Sequence, residues 1–150
     1  MKNDKNIDKQ YLLNYAQCLS ISKKQRWSKT RAVVYDVILD CEEPITAYRL
    51  IEKIKLTKKQ TLNPMSVYRS LYALCELNLV IPIKNLNAFL PCRCPQGKHR
   101  HVLLICQKCK KCANIVSDNF INTVEATKLG FAIDEHSFEI YGICKECACV

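Results

Sequence analysis

Residues 106 to 112 read CQKCKKC and residues 144 to 147 read CKEC. A Cys-x-x-Cys turn offers two thiolates to one side, and two such turns close a tetrahedral shell of four sulfurs around one zinc ion. Cys106, Cys109, Cys144 and Cys147 are therefore the candidate ligands of a structural zinc that ties together both ends of one small domain. The loop between the pairs is long, but each doubling of a loop adds only about 0.6 kcal/mol of closure entropy. A structural zinc contributes roughly 10 to 16 kcal/mol. Spacing leaves one alternative open, because Cys109 and Cys112 also stand three apart, and Cys149 is a further spare thiol or ligand.

Eleven cysteines in 150 residues would suit a disulfide scaffold in an exported chain. The count is odd, the first ten residues carry charges throughout, and no apolar run reaches the roughly 18 residues that span a bilayer. We expect reduced thiols, a cytoplasmic location and no membrane partner. Cys18, Cys41 and Cys75, inside helical apolar patterns, are expected to pack as small hydrophobes. A thiol-redox or zinc-handling protein is the alternative of another class. It needs one exposed, reactive dithiol, whereas two pairs at opposite ends of a domain suit a staple. With three glycines and three histidines, the chain shows neither a Ser-His-Asp set nor a phosphate-cradling loop, so neither an enzyme nor a small-molecule substrate is expected.

The net charge of +9, from 23 Lys plus Arg against 14 Asp plus Glu, favours a polyanionic partner but is spread along the whole chain. Sequence order is more informative. Residues 31 to 41 repeat apolar side chains at Val33, Val34, Val37, Ile38 and Cys41, the spacing of a helix with one buried stripe. A second helix follows Thr46 as N-cap and turns Ala47, Leu50, Ile51 and Ile54 inward. Asn63 caps a third, whose first residue, Pro64, loses nothing by lacking an amide hydrogen. Val67, Leu71, Leu74 and Cys75 form its buried stripe and leave Ser66, Tyr68, Arg69 and Tyr72 on or near the other face.

The runs LVIPI and NAFLP then read as a hairpin, with Pro82 placing its strand at an edge. Three helices and a hairpin is the order of a winged helix-turn-helix, in which the third helix enters the major groove of double-stranded DNA. Ser66, Tyr68, Arg69 and Tyr72 are the candidate DNA-binding residues. An arginine early in such a helix can bond guanine bidentately or clasp a phosphate.

PCRCPQGKH, residues 91 to 99, is the best boundary in the chain. We expect an α+β protein: a winged-helix domain over 1–91 that includes an N-terminal helix, a hinge over 92–100, and a small α+β domain over 101–150. In the last we expect β runs at 101–106 and 113–116, a helix at 119–128 capped by Asp118 and ended at Gly130, and a strand-rich stretch over 131–143. Cys92, Cys94, His99 and His101 gather at the joint, and thiolate with neutral imidazole suits zinc. A metal there would couple occupancy to DNA binding. His136 could support either site or simply cap a strand.

The segment MSVYRSLYALCELNLV, preceded by ITAYRLIEKI and followed by NAFLPC, HVLLICQKC, GFAIDEHSFEIYGIC and KEC, resembles the ferric uptake regulator family, and within it the zinc-uptake-regulator branch. The likeness covers about residues 22 to 147. It implies a homodimeric repressor of zinc-uptake genes, a C-terminal dimerisation domain, and zinc as corepressor at about two ions per protomer. Carried onto this chain, Tyr68 and Arg69 would contact DNA, Cys106, Cys109, Cys144 and Cys147 would hold structural zinc, and Cys92 and His99 would belong to the regulatory site.

Two positions depart from the pattern. Ile81 stands where a hinge histidine often completes the regulatory site, and Asn114 stands where the family has a glutamate. Either Cys94 and His101 complete the shell or the site is remodelled. A family member sensing iron, manganese or peroxide is the alternative within the fold, against which the sulfur ligands favour zinc.

Overall fold

In the computed structural model, residues 8–95, 100–117, 123–132 and 137–149 are described. They belong to two compact units divided between Pro95 and Gln96, inside the stretch read as a hinge.

The first unit holds helices α1 (Lys9–Ser22), α2 (Lys29–Ile38), α3 (Ala47–Lys58) and α4 (Pro64–Glu76). Each begins at a side chain that accepts a hydrogen bond from an otherwise unpaired amide: Asp8 from Gln10, Ser28 from Arg31, Thr46 from Arg49 and Asn63 from Met65. Pro64 takes the first turn of α4, where its missing donor costs nothing. Asn78 ends that helix in the left-handed region at φ 56, the role a glycine usually takes.

One core joins the four helices: Leu12 and Ala16, Val34, Tyr35 and Ile38, Leu50 and Ile54, and Val67, Leu71 and Leu74, all at most 1% exposed. Burying each large aliphatic side chain contributes about 1.5 to 3 kcal/mol. The buried positions of α1 run Leu12, Ala16, Ser20. That stripe leaves Cys18 outside, so it is exposed and the expectation that it packs in the core fails. Cys41 is buried as expected, and Cys75 is half-buried with its thiol pushed up to about 12, first by burial and then by Glu76.

Strands β1 (Ile45–Thr46), β2 (Val80–Ile83) and β3 (Ala88–Pro91) make an antiparallel sheet in the order β1-β3-β2, with a short 3-10 turn over Lys84–Leu86 in the hairpin. Pro82 lies on β2, an edge strand where a missing donor is tolerated. The two-residue β1 is too short to show a period and went unpredicted. It pairs Ile45 with Phe89 and so fixes the wing to the entry of α3.

The second unit is a sheet ordered β5-β4-β6 from β4 (Arg100–Cys106), β5 (Cys112–Ser117) and β6 (Ser137–Gly142), with α5 (Thr123–Lys128) in the crossover and α6 (Lys145–Ala148) after it. β5 is antiparallel to β4 and β6 is parallel to it. Gly130, at φ 80, closes α5: its amide donates to Thr127 and that of Phe131 to Ala126, the double bond of a Schellman turn. Asp118 and the predicted helical residues 119–122 lie outside the described residues.

Candidate metal centre and nucleic-acid interface

The parallel register of β4 and β6 sets Cys106 beside Gly142, so the two Cys-x-x-Cys turns leave the same end of the sheet. The first is closed by Lys110 N–H donating to Cys106 O at 2.9 Å and Cys106 N–H to Lys111 O at 2.9 Å, with Lys110 left-handed at φ 64. The second opens α6, where Cys147 N–H donates to Cys144 O at 3.0 Å. Gln107 N–H reaches across to Gly142 O at 2.8 Å and joins the turns through their backbones.

The four sulfurs of Cys106, Cys109, Cys144 and Cys147 lie within 4.8 Å of one another. Among the described residues this is the one group of three or more Cys, His, Asp or Glu side chains close enough to share an ion. A tetrahedron with Zn–S bonds of about 2.3 Å has S···S edges of about 3.8 Å. Cys109 Sγ and Cys144 Sγ are 3.7 Å apart. The donor set and its spacing both fit zinc.

Hydrogen bonds from the Cys109 and Cys144 backbone hold the Cys106 thiol down to about 6, whereas hydrogen bonding with the Cys144 and Cys109 thiols pushes Cys147 up to about 12. Four sulfurs this close share either protons or a cation. Lys108 donates to Cys147 O at 3.0 Å and Lys111 pairs with Glu146 at 2.6 Å, which pins α6 against the first turn.

Cys112, left open by spacing, stands on β5 opposite Ile105, half-buried and outside the group. Burial and Glu139 raise its thiol. Cys149 is exposed and also lies outside the group.

The candidate regulatory residues are distributed over both units. Cys92 is 1% exposed at the exit of β3 and Cys94 is half-buried, and their side chains hydrogen-bond to each other. That bond, ahead of burial, raises the Cys92 thiol. His101 is 5% exposed on β4, with Nδ1 3.2 Å from Oδ1 and 3.1 Å from Nδ2 of Asn114. Asn114, where the resemblance expects glutamate, is thus His101's own neighbour. Ile81 is buried on β2 opposite Leu90. His99 and His136 lie outside the described residues.

On the helical unit, Arg69 and Tyr72 are exposed on α4, Ser66 is half-buried, and Tyr68 is half-buried against the core. The Tyr68 ring stacks on Tyr72 at 6.3 Å and meets Tyr48 of α3 edge-on at 6.4 Å. Sequence reasoning missed Tyr48, which is 68% exposed beside exposed Arg49. The available signal was the repeated dipeptide, Tyr48-Arg49 matching Tyr68-Arg69. Tyrosines from two successive helices therefore form one surface.

No helix among the described residues is long and apolar enough to cross a membrane. A sequence model of the ferric uptake regulator family matches residues 22–141. The zinc uptake regulation proteins of Escherichia coli (strain K12) and Shigella flexneri are each 29% identical over 143 residues, covering 92% of this chain and 82% of theirs. Among solved structures, a zinc uptake regulator complexed with zinc and DNA matches with a TM-score of 0.78 at 25% identity, over 95% of this chain and 97% of that one. The holo form of XcZur matches with a TM-score of 0.73 at 25% identity, over 95% and 100%.

Proposed function

The chain belongs to the ferric uptake regulator family, and from that membership we propose that it is a zinc-responsive, DNA-binding repressor of zinc-uptake genes, with zinc as corepressor. The observation that carries the metal is the 3.7 Å separation of Cys109 and Cys144 inside a four-sulfur group of tetrahedral dimensions. Likeness to a regulator solved with zinc and DNA supports the rest.

In this reading Cys106, Cys109, Cys144 and Cys147 hold the structural ion, which cross-links the second unit and supplies no chemistry beyond that. Cys92 and Cys94, with His99 and His101, form the regulatory site, for about two zinc ions per protomer. The two described sulfurs are adjacent and soft, as zinc prefers. Tyr48, Ser66, Tyr68, Arg69 and Tyr72 face the major groove, where arginine reads guanine and aromatic edges pack against thymine methyl groups.

The second unit would be the dimerisation domain. One face of its sheet carries Val102, Leu104, Ala113, Ile115, Phe138 and Ile140 in register, with Leu104 39% and Ile115 47% exposed. A second copy covering that face makes a two-fold dimer whose paired helical units match a palindromic operator.

The test is zinc content per protomer before and after mild chelation, with dimerisation and affinity for a selected duplex followed in the same samples. Two zincs falling to one, with the dimer intact and DNA affinity lost, is the expected result. DNA affinity unchanged by chelation would overturn zinc control. Affinity restored to demetallated protein by iron or manganese instead of zinc would reassign the signal.

A further inference from the structure

The chain leaves β3 at Pro91 and runs through Cys92, Arg93 and Cys94 to Pro95, tied to the helical unit along the way. Cys92 N–H donates to Leu79 O at 3.0 Å, and Tyr15 of α1 donates its hydroxyl to Pro95 O at 3.4 Å. Between them, one guanidinium nitrogen of Arg93 donates to Leu39 O at 3.0 Å and Cys41 O at 3.3 Å. Those carbonyls follow the last turn of α2, where a helix leaves its acceptors without intrahelical partners and presents the negative end of its dipole.

The chain bends at Arg93, whose guanidinium is turned to the end of α2 while Cys92 and Cys94 stand to either side of the bend. The mutual hydrogen bond of the two thiols agrees with that arrangement. One residue therefore stands between two sulfurs and the end of a helix. Bringing both sulfurs onto a single ion fixes the backbone of the Cys-x-Cys turn and with it the direction of the Arg93 side chain. α2 in turn packs in the shared core against α4, which carries Tyr68 and Arg69. The Tyr35 hydroxyl of α2 is buried with no hydrogen-bond partner among the described residues.

We propose that Arg93 is a positioning residue that carries the occupancy of the Cys92–Cys94 pair to the end of α2, and through it to the DNA-facing helix α4. This rests on the regulatory site proposed above. It assigns a role to a side chain that binds neither metal nor DNA.

The experiment compares wild type, Arg93→Ala and Arg93→Lys as full-length dimers. Zinc per protomer, and affinity with and without zinc for a duplex that the wild type selects from a random pool, are measured for each. Arg93→Ala is expected to keep the wild-type zinc content and zinc-free DNA affinity while the zinc-induced gain in affinity falls roughly tenfold, within the usual range of coupling between sites. Arg93→Lys, which keeps a donor and the charge, is expected to recover part of that gain. An undiminished gain in Arg93→Ala overturns the proposal, as does loss of zinc from that variant, which would make Arg93 part of metal retention. Should Arg93→Ala not fold, the lysine variant decides alone: a gain equal to that of an unrelated surface Arg→Lys control overturns it. A wild type that shows no gain with zinc refutes the regulatory reading itself, and that is seen before any variant is assayed.

Discussion

Cys109 and Cys144 stand 35 residues apart in the chain and their sulfurs stand 3.7 Å apart in space. The parallel pairing of β4 with β6 produces that approach, because it delivers both cysteine turns to one end of the sheet. Cys106→Ser is expected to release the structural zinc, unfold the second unit and abolish the dimer, since binding energy at such a site is folding energy. Cys112→Ser, outside the group, is expected to retain both. Zinc analysis with sedimentation checks the pair; a folded, zinc-free Cys106→Ser dimer would remove the staple.

Arg69→Ala is expected to cost about 1 to 3 kcal/mol of DNA affinity and to relax preference at one base pair if the guanidinium reads a base. A uniform loss with a shallower salt dependence would place it on phosphate instead. Tyr48→Ala tests whether α3 shares the surface, with an expected loss of about 1 kcal/mol or more as Tyr68 also loses its edge-on neighbour. Fluorescence anisotropy over a salt series reads both; wild-type affinity in Tyr48→Ala would confine the interface to α4.

Lys110 sits at φ 64, a region that costs a non-glycine residue roughly 1 to 2 kcal/mol. Lys110→Gly removes that cost while adding unfolded-state entropy, so the second unit should gain about 0.5 kcal/mol net. Thermal unfolding of the zinc-loaded protein should shift up by a few degrees. A lower midpoint would mean that the lysine side chain contributes more than its backbone costs.

Burial pushes the Asp36 carboxyl up, but hydrogen bonds from Lys58 and Lys9 outweigh it and hold the group below its ordinary value. A carboxylate lowered on folding contributes stability above its unfolded value near 4 and loses it as pH falls through the folded value. The gain should be about 1 kcal/mol or less, because both lysines are more than a third exposed. Asp36→Asn should therefore lower stability at neutral pH and flatten its fall below about pH 4. An unchanged acid limb in urea titrations would argue against the α1–α2–α3 clamp.

Much of the helical unit was legible because its signals are local. Thr46 and Asn63-Pro64 mark helix starts by chemistry that needs no tertiary partner. β1 was not legible, since two residues have no period and Ile45 is recognisable only by its pairing with Phe89. Cys18 misled because a thiol in a helical pattern says nothing about which stripe the rest of the fold will cover. Spacing could not choose between Cys106 and Cys112 as the partner of Cys109; the β4–β5 turn decides it by carrying Cys112 back along the sheet. Tyr48 needed a neighbour on another helix to become visible as part of a surface.

The β4–β6 pairing also has a consequence in time. Synthesis runs from N- to C-terminus, so the helical unit, whose core is complete by Pro95, can collapse while the ribosome is still extending the second unit. Cys109 emerges 35 residues ahead of Cys144, and until β6 has paired with β4 the first turn offers two thiols without the other two. The four-sulfur group therefore cannot close until almost the whole chain has been made, so any ion it holds is taken up after the helical unit has been synthesised.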